Sequence, residues 1–289
     1  MNMIKRLDEI AQKEFDERVR KSKRWNFLRT NIFGRKIDSP TRNHYTNNIF
    51  IIPYDRFTKA VVKSPSVTTS IRYNTTAWLF RSAGLIGYEY SSDSSRIRTE
   101  KSRLGLLHDK GCDVPSLVYT NVEGVVATEY LEGQSFDALE KEAQIDALEK
   151  ATKSLRDIHQ YSVHGDPSAQ NIRLSDGKSY WVDLEFILNP RVDYRDLIAQ
   201  ELLLFIESAA KHTGSVKQTV EVICESYDDP ELLDRVLKFN KVKNFFYRRI
   251  VHNIGYEFAA KVKEAVDEQI GKMLKRAWGD FRSFASRSF

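Results

Sequence analysis

The hydrophobic positions change period along the chain. In residues 4–24, apolar side chains recur at 4, 7, 10, 11, 15 and 19 among charges, which predicts an amphipathic helix. NNIFIIP (47–53) and TKAVVK (58–63) are short, β-branched runs between turn residues and predict strands. Residues 95–110 return to helical spacing and stop at Gly111, a residue suited to a C-cap. VPSLVYTNVEGVVATEYLEG carries two apolar runs around residues 121–124 and predicts a hairpin with a polar exit. Residues 136–160 predict a long helix. Two strands are then expected either side of SDGKS, and everything from about Asp193 onward reads as helix. The order is that of an α+β chain with two unequal lobes. A basic helical extension (1–36) precedes a small, strand-rich N-lobe (37–131) and a mostly helical C-lobe (132–289), with the break at LEGQS.

Composition narrows the class. A chain of 289 residues, 41% hydrophobic and 29% charged, can bury a sizeable core and reads as soluble and globular. Its longest nearly uncharged stretch, residues 74–90, is broken by Arg81 and Glu89 and is too short and polar to span a membrane. The first residues lack the apolar core of a signal peptide. Two cysteines, Cys112 and Cys224, form neither a disulfide framework nor a zinc spacing, so a reducing cytoplasm is expected.

Charge is segregated. Residues 1–36 hold 11 Lys/Arg against 5 Asp/Glu, residues 236–289 hold 12 against 5, and the middle holds 22 against 30. Basic ends are either solvated helix faces or a means of approaching an anionic surface, such as phospholipid at the inner face of a membrane, or a phosphorylated glycan. Trp278, Phe281, Phe284 and Phe289 lie beside Lys275, Arg276, Arg282 and Arg287, a mixture that suits an interfacial position. No nucleic-acid-binding motif is present.

The chemistry concentrates in YSVHGDPSAQNIRLSDGKSYWVDLEF. Asp166 and Asn171 are five apart with Pro167 between them, and Asp183 comes twelve residues later, after a strand, a turn and a strand. A hairpin of that length returns Asp183 to the loop that carries Asp166 and Asn171. Three oxygen-bearing side chains at one edge suit Mg²⁺, a hard cation that keeps waters and shares substrate phosphates. An Asp beside the metal can accept a proton from a hydroxyl.

HGD-x4-N followed by VDLE resembles the catalytic and metal loops of the protein-kinase-like fold. Gly165 in that motif is similar to aminoglycoside, choline, RIO-type and lipopolysaccharide (Kdo/heptose) kinases. The resemblance implies ATP and Mg²⁺ as cofactors, Asp166 as the catalytic Asp, Asn171 and Asp183 as metal ligands, and His164 as structural support. It also implies a strand Lys paired with a helix Glu. Lys63 in KAVVK, with Lys59 as the alternative, and Glu100 in RIRTEKSRLGLLHDKGCDVPSLVY match these. Their separation implies an insertion within residues 64–94, laid out as in Kdo-type kinases. VVATEYLEG resembles the hinge that holds adenine, at Glu129, Tyr130 and Leu131. Asp196 matches an Asp that bonds the catalytic loop's backbone, its alternative being a helix-start Asp favoured by the dipole.

Three departures matter. No Gly-rich loop precedes Lys63; the corresponding turn is DSPTRNHYT. Glu185 stands where protein kinases have Gly, as in choline and aminoglycoside kinases, and adds a carboxylate near the metal or phosphates. Only twelve residues separate Asp183 from Asp196, which leaves no activation segment. The expectation is therefore an ATP phosphotransferase acting on a hydroxyl of a sugar, lipid-linked glycan or other small molecule. The alternatives are a RIO-like kinase or ATPase in a protein–RNA assembly, and a pseudokinase binding module.

Overall fold

The computed structural model describes residues 47–53, 59–65, 74, 89, 93–120, 126–184, 186–242 and 256–287. The helix expected over 4–24, the turn over 38–46, Glu185 and Phe289 lie outside the described residues. So do the side chains of Trp278, Phe281 and Phe284, which fall in the last turns of a helix.

The first part is a four-stranded antiparallel sheet with one helix. β1 (Asn47–Pro53) pairs with β2 (Lys59–Pro65), β2 with β4 (Val126–Glu129), and β4 with β3 (Leu117–Thr120). Strand alternation on β2 sets which lysines can reach the site. Ala60 and Val62 point into the core, so Lys59, Val61 and Lys63 share the other face. Between β2 and β3 runs α1 (Asp93–Asp109). It ends at Gly111, whose φ of 76° lets Cys112 N–H reach back to the Leu107 carbonyl at 2.9 Å.

The rest is helical around a small three-stranded sheet. β5 (Gln134–Ser135), β6 (Ile172–Ser175) and β7 (Lys178–Trp181) pair in that order. α2 (Lys141–His159), α3 (Tyr194–Thr213), α4 (Val216–Tyr227), α5 (Pro230–Val242) and α6 (Tyr256–Arg287) complete the described chain. The long helix expected from residue 136 starts five residues later. Residues Phe136–Ala138 form a 3₁₀ turn instead, because Phe136 is fully buried and its carbonyl accepts the Gln144 amide at 3.1 Å. The helical tail is likewise interrupted, by left-handed Gly214 and Asp228 after α3 and α4.

α3 is the central element. Its residues from Leu197 to Ala210 are all buried, the pattern of a helix surrounded by others. Trp181, at the end of β7, is fully buried against it, edge-on to Phe205 at 5.2 Å, and its indole N–H donates to the Ala151 carbonyl of α2 at 3.1 Å. No helix among the described residues is long and apolar enough to cross a membrane.

Trp181 joins β7, α2 and α3, so its truncation leaves a cavity and removes the indole's hydrogen bond to α2. Trp181→Ala is expected to lower stability by about 3–5 kcal/mol, read from urea unfolding. A loss below about 1 kcal/mol would contradict this packing.

Candidate active site

Lys63 leaves the non-core face of β2 and its ammonium is enclosed. Nζ lies 2.5 Å from Glu100 Oε1 on α1 and 2.7 Å from Asp183 Oδ1, just beyond β7. Glu100 is only 2% exposed; burial raises its pKa, and the Lys63 charge opposes that rise. Lys59, four residues earlier on the same face, is exposed, with its ammonium 5.3 Å from the Tyr130 ring centroid. Of the two lysines, Lys63 is the one paired with Glu100.

The loop from His164 to Asn171 is held by its backbone. Glu201 of α3 accepts the N–H of His164 at 2.8 Å and the N–H of Gly165, and also bonds His159 Nε2 at 2.9 Å. His159 Nδ1 in turn meets the Tyr227 hydroxyl at 2.8 Å. Burial alone would raise the Glu201 pKa, but the hydrogen bonds and charges from His159, His164 and Gly165 outweigh it and keep the group ionised. Seven residues on, two helical turns along the same face, Ser208 Oγ accepts the Ala169 N–H at 2.9 Å. From the opposite side, Arg103 of α1 donates to the carbonyls of His164, Leu184 and Phe186 at 3.3, 3.0 and 2.6 Å. Gly165 is required here. Its φ is 99°, and a Cβ would sit 2.8 Å from Phe186 Cβ.

These contacts present three polar side chains together. Asn171 Nδ2 donates to the Asp166 carbonyl at 2.9 Å and to Asp166 Oδ2 at 3.2 Å, which orients its own carbonyl oxygen as an acceptor. Asp183 reaches the same place across the hairpin, which closes through Val182 N–H to the Asn171 carbonyl at 2.9 Å. Asp183 has φ of 72°, a left-handed conformation that Asp tolerates better than most residues. Crowding has a consequence. Burial, then the Asp183 charge, pushes the Asp166 pKa up to about 7. His164, edge-on to Trp181 at 5.1 Å, is pulled down to about 4 by burial. It is neutral at pH 7, with Nδ1 accepting the Asp166 N–H at 3.2 Å, so its place is under the loop. One carboxylate and one amide oxygen make a modest hard-oxygen pair. That fits Mg²⁺, which takes few protein ligands and fills the rest with water and phosphate.

Two assignments change. Asp196 does not bond the catalytic loop among the described residues. It sits in the first turn of α3 and pairs with Arg235 at 2.6 Å, near the surface. The loop-holding carboxylate is Glu201, five residues on and buried. Its signal in the sequence is a lone Glu inside the apolar run LIAQELLLFI, which only a structural need retains. Arg103 belongs to no motif, though it lies three residues after Glu100 and so on the same helix face. At the hinge, the Glu129 N–H goes to the Ser116 carbonyl at 3.0 Å and the Tyr130 N–H to the Lys59 carbonyl at 3.0 Å. Glu129 Oε1 accepts the Ser116 N–H at 2.9 Å. Of the three hinge residues, Leu131 is the one whose N–H has no partner among the described residues.

No family model and no curated protein matches the chain. Among solved structures it is similar to the choline kinase LicA from Streptococcus pneumoniae. That match has 14% identity and a TM-score of 0.37, over 90% of this chain and 99% of that one. It is also similar to the Rio2 kinase from Chaetomium thermophilum, with 12% identity and a TM-score of 0.40, over 78% of this chain and 70% of that one. Both are kinases.

Glu201→Gln places an amide N–H₂ among three donors. It is expected to destabilise by at least about 2 kcal/mol, whereas Asp196→Asn, which breaks an exposed pair, changes stability by about 1 kcal/mol or less. Equal effects in thermal unfolding would refute this division.

The Asp166 shift has a sign that can be measured without metal. The folded state holds the proton more tightly than the unfolded chain, with a pKa near 7 against 3.8. That contribution favours folding fully below the lower value and is lost as pH rises through the upper one. In EDTA, Asp166→Asn should therefore gain Tm over wild type progressively between about pH 4 and 7, then hold a constant difference. A difference independent of pH would refute the shift.

Proposed function

We propose that the chain is an ATP-dependent phosphotransferase of protein-kinase-like, two-lobed architecture that phosphorylates a hydroxyl on a small molecule or glycan. The observation that carries the reading is the Lys63–Glu100–Asp183 cluster beside Asp166 and Asn171. A strand cation is fixed by a helix carboxylate and aimed at a carboxylate beside the hydroxyl-activating loop. The whole constellation is built from residues far apart in sequence.

Each group then has a role. Lys63 positions nucleotide phosphates. Asn171 and Asp183 would hold Mg²⁺, which when bound neutralises charge on the phosphates. Asp166 orients the acceptor hydroxyl and takes its proton as the acceptor oxygen bonds to the γ-phosphorus and the bond to the β-bridging oxygen breaks, releasing ADP. A raised pKa near neutrality makes Asp166 a competent proton acceptor, while neutral, buried His164 has no such access. Catalysis is chiefly alignment and charge stabilisation.

The acceptor class is inferred from the short connection after Asp183. The chain enters α3 at Tyr194, so the segment that would dock a peptide has no room. The basic ends favour an anionic acceptor or membrane surface, and a lipid-linked glycan meets both conditions.

The test is transfer from γ-labelled ATP to pooled sugars, glycans and lipids. Asp166→Ala should lower turnover by roughly 10²–10⁴-fold while nucleotide still binds. Lys63→Met should cripple activity where Lys59→Met does not, and Asp183→Asn should shift the Mg²⁺ titration. Wild-type turnover in Asp166→Ala would overturn the reading.

A further inference from the structure

Two buried polar residues behind the loop have no role in the proposed phosphotransfer. His159 is the last residue of α2 and Tyr227 the last of α4. Their side chains continue a line that starts at the loop. Glu201 Oε1 accepts the Gly165 N–H. Its Oε2 accepts the His164 N–H at 2.8 Å and meets His159 Nε2 at 2.9 Å, and His159 Nδ1 meets the Tyr227 hydroxyl at 2.8 Å. Gly165 directly precedes Asp166, so the end of α4 is linked by hydrogen bonds to the backbone beside the proposed proton acceptor.

The protons along this line are fixed by what each end can do. The ionised Glu201 carboxylate only accepts, so His159 Nε2 carries a hydrogen. The Tyr227 hydroxyl has His159 as its one partner among the described residues. Were Nδ1 also a donor, the hydroxyl's own proton would have no acceptor among them, at a residue 3% exposed. The hydroxyl therefore donates to a bare Nδ1. In a histidine, the bond made by one ring nitrogen decides which nitrogen holds the proton. Without that donor the proton can sit on Nδ1, and a bare Nε2 would then face the Glu201 carboxylate.

The hydroxyl is separable from the packing. Arg156, one turn before His159, donates to the carbonyls of Ser226 and Tyr227 at 3.4 Å each and holds the end of α4 against α2. The Tyr227 and His159 rings are in contact at 5.9 Å between centroids. Tyr194 reaches the same histidine at a different atom, donating to its carbonyl at 3.0 Å.

We propose that Tyr227 is a positioning residue of the loop that carries Asp166. Its hydroxyl locks His159 in the Nε2–H tautomer, and that N–H holds Glu201 where it can take the two loop N–H groups. Tyr227 touches no reacting atom. The lock is independent of nucleotide, and only its effect on turnover rests on the phosphotransferase reading.

Tyr227→Phe removes the hydroxyl and keeps the ring. Tyr194→Phe removes a hydroxyl that meets His159 away from its ring. Each full-length variant is compared with wild type by ¹⁵N NMR of the histidine rings, by amide hydrogen exchange, and by hydrolysis of MgATP to water, which needs no identified acceptor. Thermal unfolding checks that both are folded. In Tyr227→Phe, His159 should change from one tautomer to a mixture. The His164 and Gly165 amides should exchange about 5-fold faster, the equivalent of one ordinary hydrogen bond. Turnover should fall about 10-fold at unchanged KM for MgATP, less than the 10²-fold of a full ångström's misplacement. Tyr194→Phe should match wild type in tautomer and in kcat.

The proposal is overturned if folded Tyr227→Phe keeps one tautomer and wild-type exchange, or if the tautomer changes and kcat does not. It is equally overturned if both variants slow turnover alike, since packing would then be the cause. Wild type alone also decides: a His159 proton on Nδ1, or on both nitrogens, excludes the lock. If wild type hydrolyses MgATP in a Lys63-dependent way while any of these holds, only this inference fails. If wild type hydrolyses none while tautomer and exchange change as expected, the phosphotransferase reading fails and the positioning role stands.

Discussion

A lysine ammonium held between two carboxylates is the constraint on which the site depends. Lys63 meets Glu100 and Asp183 at 2.5 and 2.7 Å with little access to water. Removing such charges from water is expensive, and only close pairing offsets it. The geometry therefore cannot be loose. β2, α1 and the segment after β7 must arrive together, or one charge is stranded. That one triad fixes the four-stranded sheet against the loop that carries Asp166. It also leaves Asp183 at the spot where phosphates and a cation would gather. Ion pairing here serves position more than stability.

The second layer is the way α3 and α1 hold the loop from both sides. Glu201 and Ser208 are seven residues apart and so share a helix face, and each takes a loop N–H. Arg103 collects three carbonyls from the other side. The loop's backbone groups are thus satisfied by side chains of helices, which leaves its own side chains available for chemistry. The arrangement forces Asp166 and Asp183 close together. The resulting rise in the Asp166 pKa is unfavourable for folding at neutral pH and would favour the proton transfer proposed for it.

These two layers explain how much of the molecule is legible in its sequence. Strand and helix periods can be read for β1, β2, α1, α2 and the β6–β7 hairpin, because each is amphipathic or bounded by turn residues. The 3₁₀ start before α2 cannot, since it depends on burying Phe136 in a pocket made by distant chain. Lys63, Glu100, Asp166, Asn171 and Asp183 stand out because their residue types and spacing are constrained by chemistry. Arg103 acts on backbone carbonyls and Glu201 on two backbone N–H groups besides His159, and backbone groups, which any sequence possesses, do not betray their partners. Asp196 matches a motif by position, but the register of α3 gives the task to a carboxylate one turn further on. At the hinge, residue identities alone cannot show that the sheet already uses the N–H groups of Glu129 and Tyr130.

The central proposal is that Lys63 and Asp183 receive the phosphates of a bound nucleotide. It is tested most directly by an experimental structure with Mg²⁺ and a non-hydrolysable ATP analogue. The account predicts phosphate oxygens on Lys63, the ion on Asn171 and Asp183, and the base edge on Leu131 N–H. A nucleotide bound elsewhere, or phosphates placed away from Lys63 and Asp183, would contradict it.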